Sequence, residues 1–172
     1  MNIALIGFMG TGKTTIGKIV SKKIGFSFYD IDSIIELNEK KSISDIFIEY
    51  GEKFFRHIEA EVIEEASKKN ELVISCGGGA VLDKKNIENL RTNAIIINLQ
   101  TDPETIYKRV KNKANRPVLG SKNISIEKIK ELLYLRKDAY LNCDFSIDST
   151  DIKPEKAADM IVEIFYKNGG KK

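Results

Sequence analysis

Gly7-Phe8-Met9-Gly10-Thr11-Gly12-Lys13-Thr14 is the stretch around which the rest of the chain is read. The run before it, Ile3-Ala4-Leu5-Ile6, is short, apolar and partly β-branched, as a buried parallel strand is. After it, Ile16, Ile19, Val20 and Ile24 recur at helical spacing, which predicts a helix over 15–24. Strand, glycine loop and helix together turn G-x-x-x-x-G-K-T from a string match into a phosphate-binding loop. Glycines let backbone N–H groups wrap a phosphate chain, and the helix N-terminus adds its dipole. Gly10, Thr11, Gly12 and Thr15 belong to that cradle. Lys13 supplies a point charge for the β- and γ-phosphates, and the Thr14 hydroxyl suits Mg²⁺. A glycine turn that merely connects two elements would not need all four fixed positions and both flanks.

Outward from this loop, short apolar runs alternate with helical patterns. Strands are predicted over 26–29, 72–76, 94–99 and 145–147, with Gly77-Gly78-Gly79 ending the third of the chain's five. Helices are predicted from Asp30-Ile31-Asp32 to about Asn38, and over 42–50 with Gly51 as stop. Others run over 52–69, after Asp83, from the cap-and-proline pair Asp102-Pro103 to about Lys111, over 125–142, and from Pro154 onward. Residues 112–123 have little apolar periodicity, contain Arg116-Pro117 and Gly120, and read as a mobile loop between helices. The alternation implies one doubly wound α/β domain with a five-stranded parallel sheet. Ligands in such sheets bind beyond the carboxyl ends of the strands. The loop at Gly7, Asp30/Asp32, Gly77 to Gly79 and the segment near Pro154 should therefore converge.

The 172 residues include 42% hydrophobic and 31% charged side chains, which fits one soluble globular domain. Lys+Arg exceed Asp+Glu by only three, 28 against 25, and Lys171-Lys172 supply part of that excess. Such a balance does not argue for a nucleic-acid or membrane partner. Cys76 and Cys143 lie far apart without C-x-x-C pairing and suit reduced thiols in a cytosolic protein. The first strand begins at residue 3, leaving no room for a signal or transit peptide, and no apolar run approaches spanning length. A cytoplasmic monomer is expected.

Asp30 and Asp32 lie one residue apart just past a strand. On an extended backbone they would diverge, one toward a metal and one toward a second substrate. Phosphoryl transfer to an alcohol requires that pair of placements. Either aspartate also fits a helix cap. Arg56 has Glu52 four residues before it and Glu59 three after, a spacing that equally permits simple surface ion pairs. Arg136 could be a solvated charge, and His57 reads as a bystander. Ser75 stands where a hydroxyl would reach a metal-bound water. The basic run Lys111 to Arg116 lacks the interleaved aromatics of a nucleic-acid site.

Taken in order, these motifs resemble the shikimate kinase family. GFMGTGKT is followed by D-I-D at Asp30 to Asp32, S-I-S-D-I-F at Ser42 to Phe47 and G-E-x-x-F-R-x-x-E at Gly51 to Glu59. GGGAV at Gly77 to Val81, R-P-V-L at Arg116 to Leu119 and R-x-x-x-Y at Arg136 to Tyr140 complete the pattern, which spans roughly residues 3–165. The resemblance implies a three-layer α/β/α P-loop kinase architecture, like that of nucleoside monophosphate kinases, with residues 1–172 as one domain and a lid at about 112–123. It implies ATP-dependent phosphorylation of the 3-hydroxyl of shikimate, with Mg²⁺, in the route to chorismate and aromatic amino acids. Lys13 and Arg116 would hold the transferring phosphate, Thr14 and Asp30 would serve Mg²⁺, and Asp32 would bind the acceptor hydroxyl and act as its base. Arg56 and Arg136 would clamp the shikimate carboxylate, Glu59 would orient Arg56, and the main chain at Gly78 would meet ring hydroxyls. Arg109 and Pro154 would flank adenine. An arginine often found shortly before that proline is replaced by Asp151-Ile152-Lys153. Gluconate or nucleoside monophosphate kinases, and a nucleotide-dependent switch, are the competing readings. A switch would leave Asp32, Arg56 and Arg136 without purpose.

Overall fold

Residues 3–6 alternate between two apolar layers. Ile3 and Leu5 face one, Ala4 and Ile6 the other, and all four are fully buried. A strand covered on both faces can be a continuous apolar run, which is why β1 (Asn2–Ile6), β3 (Leu72–Ser75) and β4 (Ala94–Gln100) read so plainly. The computed structural model describes residues 1–111 and 124–170. The strands, with β2 (Ser27–Asp30) and β5 (Phe145–Asp148) at the edges, form one parallel sheet in the order β2-β3-β1-β4-β5. α1 (Lys13–Ile24) and α8 (Pro154–Lys167) cover one face, where Ala157 and Ala158 sit fully buried beside Ile161 and Phe165. The other face carries α2 (Ile31–Glu39), α3 (Ile43–Ser67), α4 (Lys84–Arg91), α5 (Pro103–Val110), α6 (Ile126–Leu135) and α7 (Lys137–Leu141). The three layers expected from the alternation are present.

Chain order reverses around β1. The connection from β1 leads out to β2, and the one from β3 crosses back over β1 to β4. That reversal opens a crevice at the carboxyl ends of β1 and β3. Leu5 pairs in register with Ser75, and Ser75 with Asp30, so three strand ends lie side by side there.

Three local departures shape the site. Asp30 is the last residue of β2 and also the N-cap of α2, its carboxylate accepting from Ser33 N at 3.2 Å. The chain turns helical at once, so Asp32 lies in the first turn of α2. The two aspartates diverge because a strand becomes a helix, not because an extended strand continues. Second, Gly51 interrupts α3 at φ 80°, ψ 172°, a left-handed conformation that glycine adopts without a Cβ penalty. The two helices predicted on either side of Gly51 are both present and meet there at a kink. Third, the helix predicted over 125–142 is two, broken at Arg136 (φ −105°, ψ 4°). Of its expected buried stripe, Ile129 is fully buried, whereas Ile126, Leu132 and Leu133 are half-buried. The expected lid at 112–123, with Arg116, lies outside the described residues.

Candidate active site

A cavity of about 470 Å³ opens over the carboxyl ends of β1 and β3. Its floor is the glycine loop and the start of α1: Gly10, Thr11, Gly12, Lys13, Thr14 and Thr15 all line it. Asp30 and Asp32 arrive from the β2–α2 corner, and Ser75, Gly77 and Gly78 from the end of β3. Arg109, Ile152 and Pro154 line it as well. The four segments expected to converge do so.

Side chains behind the loop hold its shape. Lys13 is buried and donates to the Gly7 and Phe8 carbonyls at 2.7 and 2.9 Å, folding its ammonium back over the loop. Thr11 donates to Phe8 O at 2.8 Å, and Arg109 reaches Gly10 O at 3.1 Å. Ser149, buried just past β5, meets Thr11 O at 3.0 Å and so ties the loop to the far edge of the sheet. Nothing in the residue pattern marked Ser149. Only the convergence of strand ends could have pointed to it. Thr14 Oγ1 donates to Asp30 Oδ2 at 3.0 Å, which places two hard oxygen donors together at the cavity's edge. Asp30 thus caps α2 with one oxygen and meets Thr14 with the other.

A second cavity, about 210 Å³, adjoins the first and is lined by different chemistry. Arg56 and Glu59 come from α3, Arg136 from the α6–α7 break, and Gly77, Gly78 and Gly79 from the β3 loop. Glu36, Ser44, Phe47 and Phe55 also line it, and of these Glu36 carried no signal in the sequence. Met9, Asp32, Gly77 and Gly78 line both cavities. Asp32 therefore stands at their boundary.

The arginines are not solvated surface charges. Arg56 pairs with Glu59 at 2.5 Å and with Glu52 at 3.1 Å. The Glu59 side chain is 1% exposed, so this contact is not the surface ion pair its i,i+3 spacing allowed. Burial pushes the Glu59 carboxyl up to about 7, against the pull of Arg56, and the neighbouring Asp32 and Glu52 push the same way. Glu59 Oε1 has no hydrogen-bond partner among the described residues. It flanks the Gly77 Cα together with Asp32 Oδ1. Burial works against the Arg56 charge, but Glu59 and Glu52 more than offset it and raise its pKa. Arg136 is buried at the helix break, with Nη1 3.4 Å from the Gly78 carbonyl. The Tyr140 hydroxyl donates to that same carbonyl at 2.5 Å, a contact whose only sequence signal was the i,i+4 spacing to Arg136.

His57, read from the sequence as a bystander, lines neither cavity. His57 is 71% exposed, with Nε2 3.5 Å from Glu61. Both cysteines are free; Cys76, buried just past the end of β3, lines the first cavity, and burial raises its thiol pKa. No helix among the described residues is long and apolar enough to cross a membrane.

Known proteins share both the sequence and the shape. A family model described as shikimate kinase matches residues 9–165. A shikimate kinase from Thermodesulfovibrio yellowstonii is 44% identical over 166 residues, covering 96% of this chain and 95% of that one. One from Caldicellulosiruptor saccharolyticus is 43% identical over 171 residues, 99% of each. The solved shikimate kinase of Acinetobacter baumannii, in complex with shikimate, superposes with a TM-score of 0.92 at 33% identity, covering 99% of this chain and 95% of that one. With a family match over most of its length and full-length relatives above 40% identity, the chain belongs to the shikimate kinase family.

Proposed function

We propose that this chain transfers the γ-phosphoryl group of ATP to the 3-hydroxyl of shikimate, giving shikimate 3-phosphate and ADP. The observation that carries the reading is the position of Asp32, which lines both the phosphate-loop cavity and the two-arginine cavity. An acceptor hydroxyl held there meets a carboxylate on one side and the transferring phosphate on the other. Family membership and the shikimate complex of a relative agree with it.

The chain's own groups divide the work. Backbone N–H groups from Gly10 to Thr15 cradle the phosphates, and Lys13 moves from its loop carbonyls to the phosphate oxygens when nucleotide enters. Thr14 and Asp30 are the residues that fit Mg²⁺: a hydroxyl and a carboxylate 3.0 Å apart are the few hard oxygen ligands that this ion takes beside phosphates and water. When bound, the ion neutralises charge on the phosphate chain. Arg109 and Pro154, with Ile152, line the end of the cavity left for adenine. Arg56 and Arg136 present two planar cations to the shikimate carboxylate, and Glu59 orients Arg56. The main chain at Gly78 faces the ring hydroxyls. Asp32 takes the hydroxyl proton as the O–P bond forms and the bond to ADP breaks.

A coupled assay of ADP release against shikimate, gluconate and nucleoside monophosphates tests the reading. Shikimate alone should drive turnover, with phosphorus on the 3-oxygen by NMR. Equal or greater turnover with gluconate would overturn it.

A further inference from the structure

Gly78 is packed from two sides. A Cβ at this position would stand 3.2 Å from Met9 N, so the residue lies directly against the phosphate loop. On its other side its carbonyl accepts two donors: Tyr140 Oη at 2.5 Å and Arg136 Nη1 at 3.4 Å. The shorter contact is a full hydrogen bond and the longer a weak one. Tyr140 is 6% exposed, and burial pushes its phenol up to about 12, so it stays protonated and donates throughout the working pH range. Tyr140 N donates to Arg136 O at 3.1 Å, so their i,i+4 spacing sets both side chains on one helix face, from which both reach one carbonyl.

We propose that Tyr140 is a positioning residue for acceptor binding: it satisfies the Gly78 carbonyl, which keeps the Arg136 guanidinium available to the substrate carboxylate and fixes the Gly78–Gly79 peptide against the phosphate loop. The carbonyl is part-buried, and a carbonyl partly withdrawn from water seeks a donor. Without the phenol, Arg136 is the remaining side-chain donor to it among the described residues, and it would close on Gly78 instead of on substrate. The inference rests on the shikimate reading of the second cavity.

Tyr140→Phe removes only the hydroxyl and keeps the buried ring. It should raise the KM for shikimate about 3- to 10-fold, the range of one neutral hydrogen bond, and leave the KM for ATP within about 2-fold. In an Arg136→Lys background, where no guanidinium remains to be misdirected, the same change should have little further effect on the KM for shikimate. Ile129→Val, at a fully buried α6 position away from Gly78, serves as the comparator for simple loss of packing and should leave both KM values at wild type. An unchanged KM for shikimate in Tyr140→Phe would overturn the proposal. So would effects of the two substitutions that multiply independently, or an equal rise in KM for Ile129→Val. Should Tyr140→Phe unfold, deuterium exchange of the wild type decides: shikimate must slow exchange at the Gly79 amide, and unaltered exchange there overturns the proposal. Absence of shikimate turnover in the wild type would instead remove the functional reading, a separate failure.

Discussion

The two adjoining cavities are built in opposite ways. The floor of the larger is shaped by backbone: one loop of contiguous residues, bent by glycines and held from behind by Thr11, Arg109 and Ser149. The smaller is shaped by charged side chains from three separate elements, whose registry depends on a buried carboxylate and a broken helix. A backbone site tolerates sequence change around it, and Lys13 is the positive charge set into its floor. A side-chain site depends on every partner being where packing puts it.

Removing the lysine tests the first half of that contrast. Lys13→Met should lower kcat by about 10³-fold, because the ammonium is needed most when charge shifts on the phosphate. Gly7 and Phe8 carbonyls lose a donor, so stability should drop by about 1–3 kcal/mol while the circular dichroism spectrum stays native. Turnover within a few-fold of wild type would mean the loop does not bind the transferring phosphate.

Asp32 belongs to both cavities, so its loss should register in neither binding constant. Asp32→Asn should cut kcat about 10²-fold and leave both KM values within about 3-fold, since the amide accepts no proton. A large rise in either KM with normal kcat would place Asp32 in one cavity alone.

The same contrast explains what could be read from the chain. Contiguity made the phosphate loop legible: all of its groups lie between Gly7 and Thr15, flanked by an apolar strand and an amphipathic helix. The central strands were legible because covering both faces demands unbroken apolar runs. Residue types at the second cavity were also visible, through the resemblance. Their physical state was not. Glu59 sits three residues from Arg56 on a helix, a spacing shared by solvated pairs, and its burial comes from the β3 loop packed over it. The break at Arg136 has neither glycine nor proline to announce it. Strand order followed from no local signal, although it is what sets β1 beside β3.

Arg56→Lys probes the side-chain site at lower amplitude. The charge stays, but the planar fork that meets a carboxylate is lost. The KM for shikimate should rise about 10-fold with the KM for ATP unchanged, measured by varying each substrate at saturation of the other. An unaltered shikimate KM would return Arg56 to the status of a structural ion pair with Glu59 and Glu52.

Glu59→Gln gives the smallest kinetic effect and the sharpest physical one. Glu59 ordinarily titrates near 4.5, but burial lifts it to about 7 in the fold. Below 4.5 it is protonated in both folded and unfolded chains and contributes no pH dependence. As pH rises from 4.5 toward 7, the unfolded chain releases this proton while the folded one retains it, so the fold loses stability with rising pH. Above that window both states are ionised and the loss levels off, at about 3 kcal/mol for a shift of this size. Glutamine does not titrate. The stability of Glu59→Gln relative to wild type should therefore grow between pH 4.5 and 7 and then stay flat, read from denaturant unfolding at a series of pH values. Its KM for shikimate should rise a few-fold at neutral pH, because Arg56 keeps Glu52 but loses the carboxylate that orients it. Parallel stability curves for the two proteins would show that Glu59 is ionised in the fold at its ordinary pKa. The Arg56 ion pair would then fully offset the burial of Glu59.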